Sequence, residues 1–209
     1  MPPTRPLVLL ARHGRTSLND PKAPRLRAWE NPPLDRRGEL DAEFAANRIS
    51  HFEPQMIYSS DLLRDTQTAH IIAGKLGNIP TETDYDLRTA DMGEWQGELE
   101  SDVAPHVLGW YQHPWTDSPS GESYNVFLSR FLGCFNPKLE ISRNCPPFRP
   151  TLIVCHGRNI ASLHSVHAHI PPWEALTVMP GGVALISQTP DGRDEFEFLT
   201  ETEPILVDA

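Results

Sequence analysis

The sequence predicts an α/β protein, a three-layer α/β/α sandwich whose central sheet is mostly parallel. Two short apolar runs, at 7–11 and 152–155, have the composition of strands buried inside a parallel sheet. Segments with helical periodicity lie between these runs and after the second one. The length of 209 residues, with 39% hydrophobic residues, fits a single domain over residues 1–209.

The first half of the chain is predicted to form two helices with a short strand between them. Asp35 is expected to cap the first helix. The apolar side chains expected on one face of that helix are Leu40, Phe44, Ile49 and Phe52. A short strand follows at 56–58. The second helix ends at Gly77, and its inward residues are Leu62, Ala69, Ile72, Ala73 and Leu76.

The second half is predicted to form two more helices and a hairpin. One helix begins near Glu122, and its apolar residues are Tyr124, Phe127, Phe131 and Leu132. Another helix follows the second apolar run and stops before Pro171, and its apolar face holds Ile160, Leu163, His167 and Ile170. A turn at Asp191 and Gly192 then joins two strands, at 183–186 and 195–198.

Three proline-containing segments are predicted to be loop insertions, near residues 20–33, 98–120 and 136–150. The first two flank the motifs described below and are expected to cover a pocket. Their aromatic residues suit stacking on a nucleotide or sugar, or ordinary packing within the loops. These residues are Trp29, Trp110, Tyr111 and Trp115.

The composition narrows the possible partners and compartments. The net charge of −10, from 18 Lys and Arg against 28 Asp and Glu, disfavours nucleic acid and anionic membranes as partners. Cys134, Cys145 and Cys155 form no CxxC pair, so neither a disulfide framework nor a zinc ribbon is predicted. The sequence has no apolar run of membrane-spanning length and no signal-peptide core. We therefore expect a cytoplasmic protein.

The tripeptide His-Gly-Arg follows both apolar runs. It places His13 and His156 at the carboxyl ends of two strands, where ligands bind in α/β sheets. The glycine after each histidine is expected to let the chain turn sharply. Arg12 precedes the first histidine, and a further strand–helix junction supplies Arg64. These side chains would form a cationic pocket in an acidic protein, as a phosphorylated small-molecule substrate requires.

These residue types suit phosphoryl transfer without a metal ion. A neutral imidazole at His13 can attack phosphorus and form a phosphohistidine. Arg12 and Arg64 offer planar donors to the phosphoryl oxygens, and Asn19 and the amide of Gly157 add neutral donors. The sequence lacks a G-x-x-x-x-G-K-[ST] loop, and the three histidines in 164–169 do not share one helical face. No metal and no other cofactor is predicted.

Several motifs occur in an order typical of one family. R-H-G-x-T-x-x-N lies at 12–19, S-x-x-L-x-R-x-x-x-T-A at 59–69, G-x-W-x-G at 93–97 and V-C-H-G at 154–157. The chain resembles the histidine phosphatase superfamily, in its phosphoglycerate-mutase-like branch. The resemblance implies a phosphoglycerate-mutase-like fold and a phosphatase that forms phosphohistidine at His13. It also assigns His156, if protonated, the role of a further donor to the phosphoryl group.

The sequence departs from that family at the proton donor. The family pattern L-x-E-x-x-x-G carries a glutamate at the position of Thr89, and threonine is not a useful acid near neutral pH. Asp91 is the expected substitute, and Glu94 is the next candidate. A turn-capping role suits Asp91 nearly as well.

The alternatives to a phosphomonoester hydrolase stay open. A phosphoglycerate-mutase-type phosphotransferase uses the same first step, but the segment from Gly97 to Gly121 is shorter than in the classical mutases, which favours hydrolysis. Thr89 instead suits a catalytically weak protein that binds a phospho-ligand or regulates another protein. A metal-dependent hydrolase is the remaining reading. The sequence predicts no oligomeric state.

Overall fold

The computed structural model describes residues 4–144, 146 and 148–205. The strands in chain order are β1 (Arg5–Arg12), β2 (Met56–Ser59), β3 (Thr81–Thr83), β4 (Thr151–Cys155), β5 (Leu176–Val178), β6 (Val183–Gln188), β7 (Asp194–Phe198) and β8 (Thr202–Pro204). The α-helices are α1 (Arg36–Ile49), α2 (Leu63–Lys75), α3 (Glu100–Gln112), α4 (Tyr124–Asn144) and α5 (Gly157–Ala168).

A six-stranded sheet with the order β3-β2-β4-β1-β6-β7 forms the centre of the molecule. Strands β3, β2, β4 and β1 are parallel to one another, while β6, antiparallel to β1, and β7 form an antiparallel edge. This arrangement confirms the predicted mostly parallel sheet and the hairpin at its edge. A second, two-stranded sheet pairs β5 with β8.

Helices cover both faces of the central sheet, because side chains of β1 alternate between two apolar cores. Leu9 and Ala11 face α1 and α2, where the core is built mainly from alanine and isoleucine. Val8 and Leu10 face the opposite core, to which α3, α4 and α5 contribute large aromatic and aliphatic side chains. The three predicted layers are therefore present.

Helix α1 begins as predicted but buries a different face. Asp35 caps it, since its Oδ1 accepts a hydrogen bond from the Gly38 amide at 2.8 Å. Leu40 and Phe44, predicted to face inward, are 51% and 54% exposed. Ile49 is buried as predicted, together with the small residues Gly38, Ala42, Ala45 and Ala46. Small side chains let α1 approach its neighbours closely, and this close packing overrides the larger apolar stripe.

Two of the three predicted loop insertions are largely helical. Helix α3 occupies most of 98–120 and contains Pro105, and α4 extends into 136–150 and contains Pro137. Each helix buries an apolar face, and this burial outweighs the hydrogen bond that an internal proline removes. Residues 20–33 are irregular, as predicted. Cys145 and Pro147 lie outside the described residues.

Among the described residues, no helix combines the length and the apolar character needed to cross a membrane.

Candidate active site

The parallel pairing of β1 and β4 brings the two sequence-predicted histidines together. Arg12 and Cys155 are register partners, so His13 and His156 leave the sheet at the same height. The His13 amide donates to the Cys155 carbonyl at 3.0 Å. The two imidazole rings are buried, and their centroids lie 5.1 Å apart.

The glycines that follow the histidines are required by close packing. Neither Gly14 nor Gly157 has a positive φ, so the expected sharp turn is not their role. A Cβ on Gly14 would lie 2.1 Å from the carbonyl oxygen of Gly38. A Cβ on Gly157 would lie 3.2 Å from Cζ of Arg12. Because Gly14 has no side chain, the loop that carries His13 can pack against the start of α1. Because Gly157 has none, the guanidinium of Arg12 has room beside it.

The surroundings of His13 select one nitrogen as the nucleophile. Nδ1 lies 2.8 Å from the Gly14 carbonyl oxygen, which can only accept, so Nδ1 carries the proton. Nε2 accepts a hydrogen bond from Nε of Arg64 at 3.1 Å. Burial, and next the nearby Arg64 guanidinium, hold the pKa of His13 well below its ordinary value. The ring is therefore neutral near pH 7, with its lone pair on Nε2.

Arg64 is held by carbonyl groups of the irregular segment 20–33. Its Nη1 donates to the Glu30 carbonyl at 2.6 Å and its Nη2 to the Ala28 carbonyl at 2.7 Å. Nη2 also lies 3.3 Å from Nδ1 of His156. The guanidinium is thereby fixed between the two histidines with its Nε directed at the nucleophile.

Arg12 also reaches the site, and part of its donor capacity is unused. Its Nη1 donates to the Val178 carbonyl at 2.8 Å and pairs with the carboxylate of Glu203. Its Nε is buried and has no hydrogen-bond partner among the described residues. A buried donor without a partner is costly, and an oxyanion in the cleft would satisfy it.

His156 is placed to donate to a bound phosphoryl group. Burial, and next Arg64, hold its pKa well below the ordinary value, which favours the neutral ring in the empty cleft. Its Nε2 lies 3.5 Å from Oδ2 of Asp65. A neutral imidazole still offers one N–H to a phosphoryl oxygen.

Asp65 is a buried carboxyl group that the sequence analysis did not select. It is fully buried. Its Oδ2 lies 3.7 Å from Nε of Arg64. Burial raises the pKa of Asp65 to about 8, against smaller opposing effects of Arg64 and of the Ser60 hydroxyl.

Arg27 is a further cationic group that the sequence analysis missed. It lines the cleft, and burial lowers its pKa to about 10, with a further contribution from Arg12. Its positive charge helps to lower the pKa of both His13 and His156. Its nearest carboxylate, on Glu100, is 3.8 Å away. The only signal in the sequence was its place in the segment 20–33, which was expected to cover a pocket.

The two neutral donors are placed as predicted. Asn19 and Gly157 both line the cleft. Oδ1 of Asn19 accepts a hydrogen bond from the Thr16 amide at 2.9 Å, which holds the side chain at the cleft wall. Gly157 is the first residue of α5, where backbone amides of a helix are free to bind an anion.

Asp91 does not reach the cleft, in contrast to the expectation that it replaces the family glutamate. Its Oδ1 accepts hydrogen bonds from the Gly93 amide at 3.0 Å and from Gln96 at 3.3 Å, so it caps the turn. Glu94 accepts a hydrogen bond from exposed Ser120 and is also absent from the cleft wall. Thr89 does line the cleft.

The cleft above the histidines has a volume of about 450 Å³. Its wall combines cationic and apolar side chains, and no tryptophan or tyrosine is part of it. Trp110 and Tyr111 are buried in the core, Trp115 is 82% exposed, and Trp29 donates to the Thr89 carbonyl at 2.8 Å. The predicted aromatic stacking surface is therefore not formed by these residues.

One group of side chains has the spacing of metal ligands. Ligand atoms of His13, Asp65 and His156 lie within 4.8 Å of one another. Nε of Arg64 lies 3.1 Å from Nε2 of His13, so a cation there would meet a fixed positive charge. The arrangement suits an anion better than a metal ion. The residues that the structure describes contain no other such group.

A family model and two similar curated proteins relate this chain to proteins of known families. A sequence model of the histidine phosphatase superfamily (branch 1) matches residues 8–198. A probable phosphoglycerate mutase of Cronobacter sakazakii is 30% identical over 171 residues, which cover 79% of this chain and 76% of that protein. Glucosyl-3-phosphoglycerate phosphatase of Mycobacterium tuberculosis is 30% identical over 196 residues, 88% of this chain and 84% of that protein.

Solved structures share the fold. The mycobacterial glucosyl-3-phosphoglycerate phosphatase in complex with VO3 superposes with a TM-score of 0.76 at 25% identity, covering 93% of this chain and 98% of that chain. A Bacillus stearothermophilus protein, YhfR, superposes with a TM-score of 0.73 at 25% identity, covering 93% of this chain and 95% of that one.

Proposed function

The chain belongs to branch 1 of the histidine phosphatase superfamily and is a phosphatase; on that premise we propose that it hydrolyses phosphomonoesters through phosphohistidine at Nε2 of His13, without a metal ion. The observation that carries the proposal is the neutral Nε2 of His13 at the floor of a cleft ringed by Arg12, Arg27 and Arg64. Binding alone needs the cations but not a nucleophile among them.

The first chemical step is transfer of the phosphoryl group to His13. The Nε2 lone pair forms the N–P bond while the P–O ester bond breaks in line, and the bonding electrons leave with the ester oxygen. Arg12 and Arg64 hold the equatorial oxygens, and the hydrogen bond from Arg64 passes from Nε2 to a phosphoryl oxygen. In the second step water attacks phosphorus, and the N–P electrons return to Nε2.

Positive charge supplied by side chains takes the place of a metal ion in this proposal. Arg12, Arg27 and Arg64 are fixed around the reacting group and lie within a largely buried site. Preorganised cations in a site of low dielectric stabilise the negative charge of the transition state without reorganisation. His156 and the Gly157 amide add neutral donors.

We propose a small phosphorylated molecule as the substrate, since the cleft volume of about 450 Å³ is within the range of small-molecule sites. The relatives include a protein named as a phosphatase and another named as a probable mutase. Hydrolysis is favoured for this chain by the short segment between Gly97 and Gly121. The net charge of −10 supports a substrate other than nucleic acid, and the free buried thiols of Cys134 and Cys155 support a cytoplasmic location.

The test is hydrolysis of p-nitrophenyl phosphate in EDTA by the wild type and by His13→Ala, with acid-labile phosphoenzyme trapped in parallel. Exposed His51, replaced by alanine, serves as the matched control. We expect full activity and trapped phosphate in the wild type and the control, and neither in His13→Ala. Activity lost in EDTA would contradict the metal-independent reaction.

The same preparation distinguishes the alternatives. With 3-phosphoglycerate as substrate, release of inorganic phosphate supports hydrolysis, whereas conversion to 2-phosphoglycerate would identify a mutase. Phosphate binding without turnover of either ester would support a regulatory protein instead.

A further inference from the structure

Proton donation in this cleft lacks an assigned group, because Thr89 occupies the family position and Asp91 and Glu94 lie outside the cleft. An alkoxide is a poor leaving group, so a phosphatase acting on alkyl esters needs an acid beside the ester oxygen. Among the described residues, the carboxylic acids that line the cleft are Asp20, Glu100 and Glu203.

Glu203 is directed into the cleft by the small sheet of β5 and β8. Thr177 and Glu203 are register partners, and directly opposed residues of an antiparallel pair point to the same side. Oγ1 of Thr177 lies 3.3 Å from the position of a Cβ on Gly157, next to His156, so that side is the cleft. The carboxylate of Glu203 then meets Nη1 of Arg12.

The other two acids lie away from the arginines assigned to the phosphoryl group. Glu100, in the first turn of α3, pairs with Arg27 at 3.8 Å. Asp20 is exposed, and its Oδ1 accepts a hydrogen bond from the Lys22 amide at 3.0 Å. Neither contacts Arg12 or Arg64, the side chains assigned to the phosphoryl oxygens.

We propose that Glu203 is the general acid that protonates the leaving oxygen and the general base that activates water. This proposal rests on the phosphohistidine mechanism given above. In the empty cleft the Glu203 carboxyl contacts Nη1 of Arg12, and Nε of Arg12 has no partner among the described residues. A phosphoryl group held by the free donors of Arg12 would therefore bring its ester oxygen beside Glu203.

Glu203 gives up one proton and regains one in each turnover. As the N–P bond forms at His13 and the P–O ester bond breaks, the ester oxygen takes the proton of Glu203 and leaves as an alcohol. The resulting carboxylate then removes a proton from the water that attacks phosphorus. The N–P bond breaks, inorganic phosphate forms, and Glu203 is again protonated.

The experiment compares Glu203→Gln with Glu201→Gln, a matched control at an exposed position in the same segment. Glutamine keeps the size of the side chain and an oxygen for Arg12 but cannot donate the proton. The rate constant kcat/KM, which reports the steps through phosphoenzyme formation, is measured for n-butyl phosphate and for p-nitrophenyl phosphate. A melting curve for each variant shows that it is folded.

We expect Glu203→Gln to lower kcat/KM for the butyl ester about 10²–10³-fold and for the nitrophenyl ester less than about 10-fold, because nitrophenolate leaves without protonation. Trapped phosphohistidine should accumulate in the variant, since water activation is also slowed. Glu201→Gln should leave both substrates unchanged.

Equal losses on both esters would overturn the proposal and assign Glu203 to positioning Arg12. A rise in kcat/KM on both esters would overturn it as well and show that the carboxylate obstructs the cleft. Absence of trapped phosphohistidine in the wild type would overturn the underlying mechanism, which is a separate result.

Discussion

The buried carboxyl of Asp65 lowers the stability of the folded protein as pH rises, and it lies beside two residues of the site. Its ionised form is desolvated, and its pKa of about 8 lies well above the ordinary value of about 3.9. Between these two pH values the folded protein retains a proton that the unfolded chain has lost. Stability therefore decreases as pH rises through this interval. The carboxylate lies 3.7 Å from Nε of Arg64 and 3.5 Å from Nε2 of His156, so its charge acts on two residues of the site.

Asp65→Asn is expected to stabilise the protein at pH 8 relative to pH 5. The variant does not ionise, so its advantage in the free energy of unfolding should grow by up to about 1.4 kcal/mol per pH unit within the interval. Urea unfolding at both pH values measures the change. Asp61→Asn is the control, because the hydrogen bond from Arg88 lowers the pKa of Asp61 and its loss should destabilise the protein at both pH values. An Asp65→Asn advantage that does not depend on pH would contradict the assignment.

Arg27→Met is expected to weaken the binding of inorganic phosphate. The substitution keeps an apolar stem but removes a buried cation beside both histidines. A charge-assisted hydrogen bond contributes about 1.5–3 kcal/mol, so the inhibition constant of phosphate should rise about 10-fold or more. Competition against p-nitrophenyl phosphate measures it. Arg36→Met, on an exposed arginine of α1, should behave as the wild type, and an unchanged constant in Arg27→Met would exclude a phosphoryl contact.

At the scale of single elements, close backbone approach fixes where the loop after β1 lies. The carbonyl of Gly38, in the first turn of α1, lies 2.1 Å from the position that a Cβ on Gly14 would take. Gly38 in turn lies against the Arg15 backbone, where a Cβ would be 2.0 Å from the carbonyl oxygen. Both contacts involve backbone atoms, so α1 would have to move for either side chain to fit.

Gly14→Ala and Gly133→Ala should therefore have opposite effects. The first is expected to destabilise the protein by at least about 3 kcal/mol, because the added methyl group overlaps backbone atoms. The second adds a methyl group at an exposed position of α4, where no other heavy atom lies within 4 Å of the added Cβ. Because alanine has a higher helix propensity than glycine, the free energy of unfolding should rise by about 0.5–1 kcal/mol. Urea midpoints measure both, and a tolerated Gly14→Ala would contradict the observed packing.

The sequence was sufficient for those parts of the site that short segments specify. His13 and His156 each follow a continuous apolar strand, and parallel strands place their carboxyl ends at one edge. Arg27 and Glu203 could not be predicted, because an irregular segment and the small sheet of β5 and β8 bring them to the cleft. Asp91 was assigned on spacing alone, and its turn directs the carboxylate away.

The inward face of α1 was predicted only in part from the sequence. The helical period of the apolar residues predicted Leu40 and Phe44 as core, yet they are exposed. Ala42, Ala45, Ala46 and Ile49 have the i, i+3, i+4, i+7 spacing of one helical face, and this is the face that is buried. The prediction gave more weight to the larger side chains of Leu40 and Phe44 than to these alanines.

At the scale of the whole molecule, an acidic protein holds a concentrated group of cations in one cleft. The net charge is −10, while three arginines, Arg12, Arg27 and Arg64, line this cleft. They lie close enough that Arg12 lowers the pKa of both Arg27 and Arg64, and Arg64 lowers that of Arg27. Their mutual repulsion opposes folding when the cleft is empty. A bound oxyanion relieves this repulsion and binds only the folded state.

Inorganic phosphate is therefore expected to raise the melting temperature. At one hundred times its Kd, a ligand specific for the folded state contributes about 2.7 kcal/mol, which corresponds to roughly 5–10 °C for a chain of this size. Scanning calorimetry with sodium chloride at equal ionic strength as the control measures the specific part. Arg12→Met should lose most of the shift, and an equal shift with chloride would indicate general screening instead.

The position of β1 in the sheet has a consequence for synthesis of the chain. β1 pairs with β4 on one side and β6 on the other, and both partners come much later in the chain. At about 5–20 residues per second, roughly 7–30 s pass between synthesis of β1 and of β4, and β6 follows several seconds later. Until β4 is made, both edges of this apolar strand are open on the nascent polypeptide, and one edge stays open until β6 is made. Such an edge is a template for aggregation that a chaperone holding the emerging chain would have to cover.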